Sequence, residues 1–225
     1  MVMRINANFG EPVAVHTAAM DWVASPMPGV ERRMLDRIGE EVARATSIVR
    51  YAPGSAFAEH THGGGEEFIV LDGVFQDEHG DYPAGSYVRN PPGSHHVPAS
   101  KDGCIIFVKL WQFQIGDDVQ MVRDLHQTSA DLSQTDADFS QAKLFENERE
   151  TVALEKWLPG HQREQTVDGG FEILVLEGSV HWNGESYGQH DWIRLPDGFI
   201  ANLGAGENGA LLWTKRRHLT NIETP

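Results

Sequence analysis

Two histidines one residue apart, His60 and His62, are followed by three glycines and Glu66, and further along the turn Pro91-Pro-Gly93 leads into His95 and His96. In an extended strand alternate side chains share a face, so His60 and His62 point the same way. Two imidazoles on one face can grip a single cation. The glycines at 63–65 let the chain reverse tightly. Glu66 then opens the next run, where its carboxylate can meet both rings, and the proline turn can present His96 as a fourth ligand. Three neutral nitrogens and one carboxylate suit a divalent transition metal, with Zn taken first and Fe, Mn, Ni or Cu as alternatives. Glu67 adjoins Glu66 and His95 adjoins His96. Neighbours in a strand face opposite ways, so one member of each pair can serve and the other cannot.

The elements that must position these groups are visible as an internal repeat. Arg44-Ala-Thr-Ser-Ile-Val-Arg-Tyr-Ala-Pro-Gly54 resembles Glu150-Thr-Val-Ala-Leu-Glu-Lys-Trp-Leu-Pro-Gly160, and Glu67-Phe-Ile-Val-Leu-Asp-Gly73 resembles Glu172-Ile-Leu-Val-Leu-Glu-Gly178. Tyr87-Val-Arg matches Trp192-Ile-Arg, Pro91-Pro-Gly93 matches Pro196-Asp-Gly198, and Gly103-Cys-Ile-Ile-Phe-Val-Lys109 matches Gly209-Ala-Leu-Leu-Trp-Thr-Lys215. Each copy reads as short strands between Gly, Pro, Asn and Asp turns. Runs such as Phe68–Leu71 and Ile173–Leu176 are apolar on both faces, which suits a sandwich or barrel. Residues 30–45 have weak helical spacing interrupted by Gly39, and a strand–turn–strand reading is preferred there; no helix is expected. The polar, acidic stretch from Gly116 to Ala142 reads as a linker or surface strap. The expected division is an N-terminal lobe over 1–118 with the metal site, an acidic linker over 119–143, and a C-terminal lobe over 144–225. Aligning the copies sets Phe171 opposite Glu66, Ala201 opposite His96, and Gln165 to Val167 opposite the His60–His62 pair. The second lobe is therefore expected to pack and not to bind, leaving one metal per chain.

Composition narrows the partners. A formal net charge of -15 over 225 residues opposes nucleic acid and anionic membranes, and still permits a small ligand in the N-terminal lobe. With Cys104 as the one cysteine, no intrachain disulfide can form, and it reads as a small core residue. The first residues lack the apolar core of a signal peptide, and the longest apolar runs are too short to span a bilayer. The expectation is a cytoplasmic protein; homodimer formation is left open.

Taken jointly, His60, His62, Glu66, Gly73, Gly85, Pro91, Gly93 and His96 resemble both halves of the cupin double motif, with Ser100 where the second half usually carries Asn. That motif's spacing selects Glu66 over Glu67 and His96 over His95. The stretch His60-Thr-His-Gly-Gly-Gly-Glu-Glu-Phe-Ile-Val-Leu-Asp-Gly73, continued through Gly85, Tyr87–His96 and Gly103–Lys109, is similar to the ChrR-like cupins. The resemblance implies two tandem cupin lobes, an all-β double-stranded barrel each, and a metal, typically zinc. In ChrR itself a separate helical zinc module inhibits a sigma factor. Residues 1–40 contain no cysteine and His16 as their one histidine, so a sigma-factor partner is not expected here. The leading expectation is a sensing or regulatory protein that binds a small molecule or reacts with an oxidant. The alternative is an enzyme, a dioxygenase-type oxidoreductase for a small carbonyl or phenolic substrate. Trp22, Arg50, Tyr51, Phe68 and Arg89 are candidates for lining the pocket. His16, His79, His126, His161, His181, His190 and His218 lack partner spacing and are read as ordinary.

Overall fold

The computed structural model describes residues 2–225. The chain forms two compact units: one from Met1–Ala7, Asp21–Leu125 and Glu223–Pro225, the other from Asn8–Met20 and His126–Ile222. Both are antiparallel β-structures.

In the first unit the main sheet runs in the order Arg4–Ile5, Val30–Gly39, Ala43–Tyr51, Cys104–Leu110, Glu66–Asp77, Ser86–Asn90, Met121–Asp124. Residues 30–51 form the expected strand–turn–strand, with Gly39 at its turn. Alternation decides what each strand buries. Val49, Phe68, Val70, Val88, Ile106 and Val108 pack into one core with Val30, Phe75 and Cys104. The intervening Glu67 and Lys109 lie on the opposite face. A separate two-stranded ribbon pairs His60–Thr61 with His95–His96, setting His96 directly across from His60.

The second unit repeats this plan. Its sheet runs Ser133–Asp136, Phe139–Glu146, Thr151–Trp157, Ile200–Arg216, Phe171–Trp182, Trp192–Leu195, Val13–Val15. A register slip between Ile105 and Ile106, opposite the strand that opens with Glu66, recurs opposite Val175 and Glu177. Gly73 (φ 72°) and Gly178 (φ 70°) follow these slips. At each a Cβ would overlap a carbonyl oxygen, that of Gly103 or Gly209, so both positions need glycine for its left-handed backbone and for lack of a side chain.

Two features differ from the sequence reading. The stretch 119–143 is not a bare linker. It carries Met121–Asp124, paired with Ser86–Asn90, then a short helix Leu125–Ala130, then Ser133–Asp136 and the start of Phe139–Glu146. Its acidic composition conceals strands whose partners already carry the apolar contacts. The lobe boundaries also cross, because Asn8–Met20 joins the second unit. Val13–Val15 adds an edge strand to Trp192–Leu195, and Asp191 fastens the segment. The Asp191 carboxylate accepts the Thr17 backbone N–H at 2.9 Å and the Gly188 N–H at 2.9 Å, with His16 Nδ1 at 3.0 Å. His16 also stacks on Tyr187, centroids 4.7 Å apart. Among the described residues no helix is long and apolar enough to cross a membrane.

Removing the Asp191 carboxylate leaves the buried Thr17 N–H and the part-buried Gly188 N–H without acceptors. Asp191→Ala is expected to lower stability by about 2 kcal/mol in urea unfolding. His16 adds a pH dependence: hydrogen bonding to Asp191 raises its pKa. Its share of the stabilisation is therefore present at acid pH and lost as pH climbs through that raised value. A D191A variant with native stability would refute this anchoring.

Candidate metal centre

The short ribbon and the strand opening at Glu66 bring four side chains to one point. The ligand atoms of His60, His62, Glu66 and His96 all lie within 4.8 Å of one another, a group with the geometry to hold a metal ion. His62 Nε2 stands 3.3 Å from His96 Nε2 and 3.3 Å from Glu66 Oε2, and His96 Nε2 stands 3.6 Å from that same oxygen. The three imidazoles meet edge to face, with centroids 4.6 to 5.1 Å apart. Among the described residues there is no second cluster of this kind.

The other ring nitrogens fix the tautomers. Ser94 Oγ donates to the Pro91 carbonyl at 2.6 Å, so towards His62 it accepts, taking the Nδ1 proton at 2.9 Å. His96 Nδ1 lies 3.4 Å from the Asp77 carboxylate without a hydrogen bond to it, and that negative charge favours a proton on Nδ1. Both Nε2 atoms then turn lone pairs towards each other and towards Glu66, with no donor among them. A divalent cation satisfies all of these lone pairs at once, so the residues fit a metal.

The electrostatics agree. Burial, with the neighbouring imidazoles adding to it, pushes His62 down to about 3 and His96 to about 4. Burial likewise pushes Glu66 up to about 7, against a hydrogen bond from Asn90 Nδ2 at 3.4 Å. The site resists holding protons on nitrogen and resists an unpaired carboxylate charge.

Alternation separates the neighbouring candidates. Glu67 is buried on the other face, where it accepts from the Tyr87 hydroxyl and pairs with Arg89 at 3.4 Å. The His95 side chain is 57% exposed. The glycine triplet does more than turn. Gly65 is left-handed (φ 77°), whereas a Cβ on Gly63 or Gly64 would strike the Trp111 ring. Trp111 itself is held at φ 58°, an unusual conformation for a bulky residue, by its N–H to the Gly65 carbonyl at 3.1 Å. Its ring helps wall a cavity of about 280 Å³ that opens onto His60, His62 and Glu66. The remaining wall is mostly apolar, from Val49, Phe57, Ile106, Val108 and Leu110, with Tyr51 and Arg32 as polar intrusions.

Of the residues nominated for this pocket, Tyr51 lines it and Phe68 lies in the core beneath. Trp22 lies elsewhere, between the guanidinium groups of Arg33 and Arg50 at 4.3 and 4.4 Å. Arg89 is committed to Glu67 and to Asp117 at 2.6 Å. Ser94, Asp77, Asn90 and Trp111 were not legible, because their roles depend on contacts between distant strands. Arg32 was also missed, although its place two residues after Val30, on the same face of the strand, could have found it. Cys104 is buried, and burial raises its thiol pKa, as a core residue requires.

Residues 10–114 match the family model of the ChrR cupin-like domain. No curated protein matches the sequence. Similar solved structures share the cupin fold at low identity. A Nostoc punctiforme protein described as a candidate dioxygenase is 16% identical, with TM-score 0.73, covering 96% of this chain and 86% of that one. A cupin 2 conserved barrel domain protein from Leptotrichia buccalis is 11% identical, with TM-score 0.62, covering 95% and 99%. Salicylate 1,2-dioxygenase from Pseudaminobacter salicylatoxidans is 12% identical, with TM-score 0.62, covering 80% and 74%.

The second cupin barrel shows what replaces a metal. The backbone bonds Gly93 N–H to His62 O and Gly198 N–H to Val167 O correspond, both 2.8 Å. His60, His62, Glu66 and His96 thus map onto Gln165, Val167, Phe171 and Ala201. Arg216 fills the gap. Its guanidinium lies 3.8 Å from the Phe171 ring centroid and donates to Gln165 Oε1 at 3.0 Å and to buried Glu155 at 2.9 Å. Trp157, Phe171, Ala201 and Leu203 close the interior. His161, packed on Phe139 and Trp157, and His218, 2.9 Å from Glu172, are buried structural groups rather than surface histidines.

Metal analysis by mass spectrometry is expected to give one equivalent per chain. His60→Ala, His62→Ala, Glu66→Gln and His96→Ala should each bring it near zero, while His95→Ala retains it. Loss in H95A with retention in H96A would reverse the register. Glu66 also predicts a pH signature in metal-free protein. Its folded pKa exceeds its ordinary value, so the penalty is absent below about pH 4.5, grows above it, and is complete beyond about pH 7. Glu66→Gln should therefore stabilise metal-free protein at pH 8, by on the order of 3 kcal/mol at most, and do little at pH 4. Equal stability of the two proteins at pH 8 would count against it.

Proposed function

We propose that this chain is a metal-dependent cupin oxygenase acting on a small carbonyl or phenolic compound, with one divalent transition metal held by His60, His62, Glu66 and His96. The observation that carries this reading is the apolar cavity of about 280 Å³ opening directly onto three of those four residues. A metal kept for stability alone needs no adjoining space, and in the second barrel, without such a cluster, Trp157, Phe171, Ala201 and Leu203 pack together at the matching positions. Support of a weaker kind is the likeness in fold to salicylate 1,2-dioxygenase.

When bound, the metal supplies Lewis acidity and redox chemistry towards dioxygen. The chain's own residues set the conditions. Ser94 holds His62 in the tautomer that presents Nε2, and the Asp77 charge favours the same tautomer in His96. Burial, with the Glu66 charge nearby, drives the Tyr51 phenol far above its ordinary pKa, so it stays protonated and offers a hydrogen bond to a substrate oxygen. Val49, Ile106, Val108 and Trp111 exclude water around the substrate body.

The match to the ChrR cupin-like domain favours a second reading, a sensor whose pocket binds a small molecule or meets an oxidant. Cys104 is a poor redox sensor, being buried with its thiol pKa raised, so the metal ligands would have to do the sensing.

Oxygen uptake separates the two. Protein loaded in turn with Fe, Mn, Ni, Cu and Zn is offered β-dicarbonyls and phenolic acids in an oxygen electrode. Substrate-dependent uptake with a redox-active metal, lost in His60→Ala and at least tenfold slower in Tyr51→Phe, is expected. Tight binding of such compounds with no uptake under any metal would leave the sensing reading in place.

A further inference from the structure

The cavity wall contains one residue that packing does not account for. Arg32 lies on Val30–Gly39, paired with Val49 of the next strand. Its neighbours Glu31 and Arg33 face outward, Glu31 to Arg50 and Arg33 to Trp22. Arg32 faces inward, beside Val30, Val49, Ile106 and Val108. Placing a guanidinium among aliphatic side chains costs free energy unless its donors are used. Here they are largely unused. Arg32 Nε is buried and has no hydrogen-bond partner. Its ion pair is a long one, from Nη1 to Glu41 at 3.7 Å, and the Glu41 side chain is 64% exposed while that of Arg32 is 17% exposed. A pair of that length with a solvated partner contributes little. Among the described residues lining the cavity, Arg32 is the only lysine or arginine. The cavity thus has two polar regions joined by an apolar wall: the ligand cluster with Tyr51, and Arg32 with the largely solvated Glu41 beside it.

We infer that Arg32 is an anion-recognition residue, and that this cavity takes a small organic carboxylate whose carboxylate meets the Arg32 guanidinium while an oxygen-bearing group of the same molecule meets the metal. The inference rests on the metal-centre reading above. It narrows the carbonyl or phenolic compound to one carrying a carboxylate, with a short apolar body against Val49, Ile106, Val108 and Trp111. A guanidinium matches a carboxylate in planarity and donor spacing, and its two Nη groups can give two parallel hydrogen bonds while the buried Nε anchors nothing else. A cavity of about 280 Å³ suits a small metabolite and not a peptide. Glu41 then serves as a placeholder, solvated and displaced by a better-placed carboxylate.

Inert chelating probes test this without turnover. The full chain is loaded with Zn and titrated calorimetrically with the monohydroxamates of succinic, glutaric and adipic acids, each against the methyl-terminated alkyl hydroxamate of equal length. The hydroxamate end reads the metal and the other end reads Arg32. For at least one length the carboxylate-terminated probe is expected to bind about tenfold more tightly. Arg32→Gln should erase that preference while leaving the methyl-terminated probe unchanged. Glu41→Gln, at an exposed position, should enlarge it, and so keeps the inference testable should R32Q fold poorly. No carboxylate preference at any length, or a preference that survives R32Q, overturns the role given to Arg32 and leaves the metal centre standing. Failure of both kinds of probe to bind, or a chain that retains no Zn, overturns the metal-centre reading and this inference with it.

Discussion

Three imidazoles and a carboxylate share one space, His62, His96 and Glu66 of them buried, and without a cation their lone pairs face one another. That conflict organises the first barrel. His62 and His96 cannot relieve it by protonation, because burial opposes a charged ring, and Glu66 cannot relieve it without taking up a proton. Ser94, Asp77 and Asn90 hold the groups in this opposed arrangement instead of turning them away. The supporting loop is specialised to the same end. Gly63 and Gly64 are bare so that Trp111 can lie against them, and Trp111 adopts a left-handed backbone to get there. Strain of this sort persists where surrounding contacts over-determine it, and it commonly accompanies binding sites.

Much of this could be read from the sequence because strand alternation is a strict rule. Once His60 and His62 share a face, their ribbon partner is constrained, and Glu66 is separated from Glu67 by the pleat alone. The internal repeat was legible for a similar reason. Glycines at 73 and 178 and the proline turns at 91 and 196 fall where the backbone tolerates few substitutes. What escaped was decided by pairing between distant strands. Asp77 closes the strand that Glu66 opens, yet nothing local says that its carboxylate folds back towards His96. The segment 119–143 looked like a linker because edge strands need few apolar residues of their own. Asn8–Met20 gave no sign that its edge strand belongs to the other barrel, since an edge strand is chosen by the hydrogen-bonding capacity of its neighbour more than by its own side chains.

The two faces of each sheet follow different rules. Inward positions are aliphatic or aromatic except where they become ligands or Arg32 in the first barrel and Gln165, Glu155 and Arg216 in the second. Outward positions are charged yet buried, with Glu67, Arg89 and Lys109 answered in the repeat by Glu172, Arg194 and Lys215. Buried charges of this kind contribute little net stability and much to specificity of register, because a slip by one residue would put them into the aliphatic core.

Arg216 turns the comparison between the barrels into a matter of supply. In the second barrel the positive charge at the mouth is covalently tethered to the strand that needs it, and is complete as soon as the polypeptide is made. In the first, the cluster could take its cation only from the surroundings, and could surrender it again. One chain therefore holds a permanent and a conditional version of the same closure. The permanent version cannot exchange its cation, so it can neither admit a ligand to that cation nor register a change in metal availability. The conditional version could do both, and under the proposed function its dependence on an outside ion would give the first barrel a chemistry that the second lacks the residues for.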